Sequence, residues 1–259
     1  MELAGGRTVV AKEGPGVAAE AFGLRWLAVP GGPPVPAVLA VEDDRLVTEY
    51  VPPGRPSVAA ASELGRRLAV LHAAGAPAFG SGPPEAPADA WIGRAPMRNV
   101  EAGDWAPWYA EHRLAPYLRT ARDAGDLTAA EAAVVEQVCD RLPGFAVPAE
   151  PPSRLHGDLW SGNVLWSADG KRSSAGAWLI DPAAHGGHRE TDLAMLALFG
   201  CPRLDTVLGA YDETAPLAPG WRDRIPLHQL FPLLVHVVLF GRGYADQAVA
   251  AARAALRVA

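Results

Sequence analysis

The sequence predicts an α+β protein in two unequal parts, a small one that contains strands and a larger, mainly helical one. Short β-branched runs lie ahead of Pro52-Pro53-Gly54, and helical periodicities dominate after it. Because Pro and Gly cluster where the pattern changes, we place a boundary there, between residues 1–53 and 54–259. A chain of 259 residues with 49% hydrophobic content can bury a large core, and its length alone fits one large domain or two unequal lobes.

The first part is predicted to form a strand, a helix and a hairpin. Thr8–Ala11 is a short run rich in β-branched residues that ends at Lys12. A Gly-Pro-Gly turn follows, and apolar residues then recur at helical spacing from Val17 to Leu27. Val38–Val41 and Leu46–Val51 flank a polar turn and therefore predict the hairpin.

The second part begins with helices. Leucines at helical spacing predict a helix over Ser57–Ala74, and a Pro/Gly-rich loop follows it. Further helices are predicted at Trp105–Ala124 and Thr128–Leu142. Thr128 is the expected N-cap of the last helix, because Glu131 three residues on completes a capping box.

The pattern then changes to short strands separated by turns. We predict strands at Ser153–His156, Val164–Trp166 and Ala177–Ile180. Helices resume at Asp192, which we interpret as an N-cap because an apolar helical run follows it, and again at about Leu227.

Charge, cysteine content and hydropathy exclude several classes of function. The formal charge is −6 and no run of like charge occurs, so we expect no nucleic-acid partner. Cys139 and Cys201 lie far apart, which argues against a disulfide framework or a zinc site and suits a reducing cytoplasm. The most apolar run, Leu230–Phe240, is far shorter than the roughly 20 residues that cross a bilayer. We therefore expect a soluble protein without a membrane partner. We also expect a monomer.

The most informative segment is His156–Asn163, whose sequence is HGDLWSGN, followed by Asp181 at the end of the next strand. Phosphoryl transfer needs a carboxylate that accepts the proton of the attacking hydroxyl, and oxygen ligands for magnesium. Asp158 is the candidate base, and Asn163 lies five residues later, the spacing found in kinase catalytic loops. Asn163 and Asp181 are the candidate Mg²⁺ ligands. Capping of a turn by Asp158 and Asn163 is the alternative.

Such a site also needs a lysine that lies on a strand and contacts the ATP phosphates with its side chain. The chain has two lysines among 23 basic residues, and Lys12 ends the first predicted strand. We expect it to pair with Glu20 on the following helix. Glu49, Tyr50 and Val51, at the end of the hairpin, would offer backbone groups to adenine.

These residues resemble the fructosamine kinase (ketosamine kinase) family, relatives of the aminoglycoside phosphotransferases. The resemblance runs from about Thr8 nearly to the C-terminus. The matching segments are HGDLWSGN at 156–163, DPA at 181–183, GHRETDLAM at 187–195 and LFG at 198–200.

The resemblance implies a protein-kinase-like two-lobed fold and ATP-dependent phosphorylation of the sugar 3-hydroxyl of ketosamines, free or protein-bound, with a role in deglycation. It also implies that Trp160 and Trp221 present flat faces to the sugar. His188, Arg189 and Glu190 would then bond its hydroxyls or the adjoining amine.

The start of the chain departs from the family pattern. Family members have a β-hairpin ahead of the lysine strand, whose loop covers the ATP phosphates, whereas eleven residues precede Lys12 here. Ala4–Arg7 resembles the turn after that hairpin. The sequence therefore predicts a truncated N-terminal β-lobe that lacks the first hairpin.

Two other functions remain open at this stage. One is a kinase of the same fold that acts on another small-molecule hydroxyl, such as that of an aminoglycoside, choline or homoserine. The other is a nucleotide-binding pseudokinase module, which the missing loop would suit.

Overall fold

The N-terminal part is a three-stranded antiparallel sheet with one helix. The computed structural model describes residues 8–42, 44–167 and 176–257. Strands β1 (Val9–Glu13), β2 (Val38–Glu42) and β3 (Arg45–Glu49) lie in the order β1-β3-β2, and helix α1 (Val17–Leu27) follows β1. The predicted strand, helix and hairpin are confirmed. Ala4–Arg7 lies outside the described residues, and the boundary at residues 53 and 54 stays a prediction.

A small core joins α1 to this sheet. Val17, Ala21 and Leu24 recur at helical spacing on the buried face of α1 and pack with Leu46 of β3. Lys12 pairs with Leu46 in the β1–β3 register. Burial of this helical face therefore fixes α1 beside the strand that carries the lysine.

The remainder of the chain is mainly helical, which confirms the predicted α+β class. Its longer helices are α2 (Val58–Ala73), α4 (Ala115–Asp123), α5 (Ala129–Arg141), α6 (Glu190–Leu198), α7 (Leu204–Thr214), α8 (Trp221–Phe240) and α9 (Ala245–Arg257). The predicted capping box is present, because the Thr128 hydroxyl accepts from the Glu131 amide and the Glu131 carboxylate accepts from the Thr128 amide.

Two pairs of short strands hold the predicted catalytic segment. Strand β6 (Ser153–Leu155) pairs with β9 (His185–Gly187), and β7 (Val164–Trp166) pairs with β8 (Ala177–Leu179), both antiparallel. The turn at 156–163 joins β6 to β7, and the turn at 180–184 joins β8 to β9. Both turns therefore lie at the same end of the paired strands.

Several elements differ from the sequence prediction. The hairpin of β4 (Asp89–Ile92) and β5 (Ala95–Arg98) was not predicted, because both strands are short and Pro96 interrupts the second. The helix predicted at 105–124 consists of α3 (Trp105–Trp108), a π-helical segment and α4. Helix α8 begins at Trp221, earlier than the predicted start at about Leu227, and it continues through Pro226 although that proline costs one backbone hydrogen bond.

The C-terminal helices are apolar enough to raise the question of a membrane. By length and composition alone, the helical stretch Trp221–Arg257 could cross a bilayer, and half of its most apolar window is buried inside the protein. Phe231, Leu234 and Val237 of α8 belong to the main core. In this fold, apolar side chains of α8 therefore pack in the protein core.

Helices α2 and α7 approach each other closely at Gly65. A methyl group at this position would overlap the carbonyl oxygen of Val207 and lie 2.9 Å from the amide nitrogen of Tyr211. Gly209, on the exposed side of α7, has no atom within 4 Å of the same added methyl group. Both glycines thus lie in helices, but only Gly65 is packed tightly against a neighbouring helix.

We predict opposite effects of alanine at these two glycines. Gly65→Ala lowers the free energy of unfolding by about 2 kcal/mol or more, because overpacking outweighs the gain in helix propensity. Gly209→Ala raises it by up to about 1 kcal/mol. Urea unfolding followed by circular dichroism measures both, and a stabilising Gly65→Ala would contradict the packing described here.

Candidate active site

The turn after β6 needs a glycine at position 157. Gly157 has a φ of +81°, in the left-handed region. A β-carbon there would overlap the carbonyl oxygen of Ala183 and lie 2.8 Å from a ring nitrogen of His185. The glycine therefore lets the two turns at 156–163 and 180–184 touch through their backbones.

His156 links the same two turns through its ring. The ring is buried, its Nε2 donates to the carbonyl of Ile180 at 2.9 Å, and its Nδ1 accepts from the amide of Asp158 at 3.3 Å. Burial lowers the pKa of His156, so the ring is neutral and carries its proton on Nε2. It thereby fixes Asp158 relative to the residue that precedes Asp181.

Asp192 holds the turn at 156–163 through hydrogen bonds to its backbone. The prediction that Asp192 is a helix N-cap is wrong. It lies inside the first turn of α6, and its carboxylate accepts from the amides of His156 at 2.7 Å and Gly157 at 3.0 Å. His72 Nε2 lies 3.1 Å from the same carboxylate. Burial alone would raise the pKa of Asp192, but the contacts with His72, His156 and Gly157 outweigh it and lower the pKa. An ionised carboxylate therefore holds the backbone of the turn.

The structure brings together the three side chains singled out in the sequence. Asn163 Nδ2 donates to the carbonyl of Asp158 at 2.8 Å, to Asp158 Oδ2 at 3.0 Å and to the carbonyl of Asp181 at 3.4 Å. Burial raises the pKa of Asp158 to about 7. Asp181 has a φ of +55°, an uncommon conformation for a residue with a side chain.

Lys12 completes the cluster from the opposite sheet. Its Nζ lies 2.7 Å from Glu20 Oε2, the predicted pair, and 2.9 Å from Asp181 Oδ1. Burial alone would lower the pKa of Lys12, but the hydrogen bonds and charges of Glu20 and Asp181 outweigh it and raise the pKa. Burial raises the pKa of Glu20 in spite of the lysine.

Two adjoining cavities meet at this cluster, and both are lined by Lys12, Glu20 and Asp181. The larger, of about 470 Å³, also contains the predicted residues Asp158, Trp160 and Asn163. The smaller, of about 240 Å³, contains Glu49, Tyr50 and Val51, the segment predicted to face adenine.

Four predicted acceptor-binding residues are engaged elsewhere. Among the described residues that line these two cavities, His188, Arg189, Glu190 and Trp221 are absent. Arg189 forms a bidentate ion pair with Glu150, and Trp221 is buried in the core around α2 and α7. These four side chains therefore lie away from the two cavities, where ion pairs and core packing hold them.

Glu190 belongs to a buried polar network with His188 and His228. These three offer ligand atoms within 4.8 Å of one another. Both oxygens of Glu190, however, accept from Arg224, at 2.5 and 2.9 Å. Burial alone would raise the pKa of Glu190, but bonds from His228 and Arg224 lower it to about 2. The guanidinium supplies the positive charge that a metal would otherwise bring, so we interpret the cluster as a structural ion pair.

The sequence analysis missed a second group of cavity-lining residues. Trp91 and Arg94 come from the β4–β5 hairpin, and His236 and Phe240 come from the last turns of α8. No sequence motif indicated these residues. The hairpin was not predicted, and the composition of α8 is typical of an apolar core helix. Only the three-dimensional packing reveals them.

A family model and curated relatives match most of the chain. The family model described as fructosamine kinase matches residues 11–257. The Escherichia coli protein named Probable ketoamine kinase YniA is 35% identical over 232 residues, which cover 88% of this chain and 76% of that protein.

Solved structures show the same fold. A Thermobifida fusca crystal structure assigned to a fructosamine-3-kinase is 51% identical, with a TM-score of 0.90 over 99% of this chain and 88% of that chain. The gentamicin complex of APH(2″)-IIa, an aminoglycoside phosphotransferase, is 14% identical, with a TM-score of 0.59 over 96% of this chain and 85% of that chain. The fold is thus the predicted protein-kinase-like one of the aminoglycoside phosphotransferase type, and the chain belongs to the fructosamine kinase family.

Proposed function

We propose that this chain is an ATP-dependent kinase that phosphorylates the 3-hydroxyl of ketosamines, the adducts left when reducing sugars rearrange on amines. The convergence of Asp158, Asn163 and Asp181 opposite Lys12 carries the proposal. Membership of the fructosamine kinase family supports the acceptor class. Phosphorylation makes the adduct labile, so the expected role is deglycation.

Asp158 is the proposed base. Its carboxyl lies in the larger cavity, and a pKa raised by burial to about 7 suits a group that accepts a hydroxyl proton near neutral pH. The hydrogen bond from Asn163 Nδ2 fixes the orientation of the carboxylate. Asp158 thereby orients the acceptor hydroxyl and takes its proton during transfer.

Asn163 and Asp181 are the proposed ligands of Mg²⁺. Carboxylate and amide oxygens are the ligands that Mg²⁺ prefers, and the Asn163 amide nitrogen is already bonded to Asp158, which leaves its oxygen for a cation. These residues therefore fit the ion. When bound, Mg²⁺ supplies positive charge against the phosphate oxygens.

Lys12, held by Glu20, is proposed to contact the ATP phosphates at the junction of the two cavities. The smaller cavity suits adenine, because its lining is mainly apolar and includes Glu49, Tyr50 and Val51. The larger cavity would then receive the acceptor. In this proposal the γ-phosphate of ATP lies between the two cavities.

The proposal includes a monomer in the cytoplasm, without a nucleic-acid or membrane partner. A net charge of −6 without like-charge runs supports the exclusion of nucleic acid. The partly buried α8–α9 stretch supports a soluble protein, as do the bacterial kinase relatives.

A panel of acceptors tests the proposed function. Mg-ATP is supplied with a fructosamine, a ribulosamine, an aminoglycoside, choline or homoserine, and ADP release is followed with a coupled assay. We expect turnover with the ketosamines. Preferred turnover of another acceptor would identify a different kinase of this fold, and nucleotide binding without any turnover would identify a pseudokinase.

Asp158→Asn tests the proposed base. We expect kcat to fall by about a thousandfold, the range of a lost general base, while ATP binding and the melting temperature stay near wild type. Asp104→Asn is the matched control, because asparagine also caps a helix and Asp104 caps α3 away from the two cavities. A kcat within about tenfold of wild type would rule out the assigned base.

Asp181→Asn tests the proposed metal ligand. Loss of the carboxylate charge weakens cation binding, so the Mg²⁺ concentration for half-maximal activity is expected to rise by at least about tenfold. A magnesium titration at saturating ATP measures it. An unchanged magnesium dependence would count against the ligand role of Asp181.

A further inference from the structure

A cluster of aromatic rings borders the larger cavity, and Trp160, His236 and Phe240 of this cluster line it. We define the aromatic wall as Trp160, Phe199, His236, Phe240 and Tyr244. The His236 ring centroid lies 4.8 Å from that of Phe199, 5.0 Å from that of Tyr244 and 5.4 Å from that of Phe240. The ring centroids of Phe199 and Trp160 lie 6.3 Å apart, with the two ring planes nearly perpendicular. The five rings therefore form one packed cluster, in which Phe199 and Tyr244 support the three rings that line the cavity.

Two rings of the aromatic wall are unusually exposed for their size. Trp160 is 38% exposed and Phe240 is 58% exposed, and both line the cavity that contains Asp158. Large aromatic side chains exposed inside a concave site are typical of ligand-binding surfaces. Flat aromatic faces pack well against the C–H face of a sugar, whose hydroxyls project at the edges.

His236 is the polar member of the aromatic wall. Its Nδ1 lies 2.7 Å from the carbonyl of Pro232, one turn earlier in α8. Since a carbonyl can only accept, Nδ1 carries the proton. Burial lowers the pKa of His236, so the ring is neutral at neutral pH and Nε2 carries a lone pair.

This lone pair points away from the helix backbone, because Nε2 lies on the opposite side of the ring from Nδ1. His236 lines the larger cavity, and its Nε2 makes no hydrogen bond within residues 8–42, 44–167 and 176–257. The three neighbouring rings hold the imidazole in place. The site thus presents a hydrogen-bond acceptor in a fixed orientation. Such a group selects a ligand that carries a hydrogen-bond donor.

We propose that His236 binds the acceptor substrate, with its Nε2 accepting a hydrogen bond from a sugar hydroxyl other than the one that Asp158 activates. The sugar lies with its C–H face against Trp160 and Phe240. This assignment rests on the proposed function, because it takes the larger cavity as the acceptor site. It makes His236 a determinant of acceptor affinity that is independent of nucleotide binding.

His236→Phe tests the assignment, because phenylalanine keeps a ring within the aromatic wall and removes Nε2. We expect KM for the acceptor to rise by about tenfold, the usual effect of one lost hydrogen bond, with KM for ATP unchanged. His112→Phe is the matched control, since His112 is also half-buried and does not line the cavity. The control is expected to keep the wild-type KM values.

A set of monodeoxy acceptors gives a second readout that a purely structural role would not move. The wild type should discriminate against one deoxy sugar, and His236→Phe should lose that discrimination alone. An unchanged acceptor KM, or equal rises in both KM values with a lower melting temperature, would overturn the assignment.

The acceptor for this test is whichever compound of the panel the wild type phosphorylates best. A wild type that prefers a non-ketosamine refutes the proposed function, and the effect of His236→Phe is still measured with that acceptor. A wild type that phosphorylates no acceptor overturns both proposals.

Discussion

The ammonium of Lys12 holds the two parts of the molecule together at the point where chemistry is proposed. It contacts Glu20 on α1 and Asp181 on the turn after β8, so one cation joins the N-terminal sheet to the helical part. A half-buried pair of carboxylates this close would repel each other without it. The positions of both cavities depend on this contact, because all three side chains line each of them.

Behind that contact, buried polar groups give the site its rigidity. Asp192 holds two amides of the catalytic turn, and His156 ties the turn to the backbone beside Asp181. His72 continues the chain of hydrogen bonds from Asp192 to Tyr211 on α7. A buried charge is stable only when it is bonded in this way, so the network both satisfies Asp192 and orients Asp158.

Local chemistry made much of this predictable from the sequence. The strand before Asp181 and the helical face of α1 depend on neighbouring residues, and both were predicted correctly. The spacing of Asp158 and Asn163 predicted that they lie together, and their side chains are hydrogen-bonded. Asp192 was misassigned, because a capping residue and an anchor of a distant turn look alike in sequence. His236 and the β4–β5 hairpin were missed, since their roles arise from contacts between segments far apart in the chain. Ion pairs with Glu150 and Arg224 explain why Arg189 and Glu190 lie away from the cleft.

The position of the transferred phosphate tests the central claim most directly. A fructosamine labelled with ¹³C in its sugar is incubated with the protein and Mg-ATP, and the product is analysed by ³¹P and ¹³C NMR. Our account predicts phosphorus coupling to carbon 3 of the sugar and to its two neighbours. A phosphate on another carbon, or no phosphorylated sugar beside intact ATP, would contradict it.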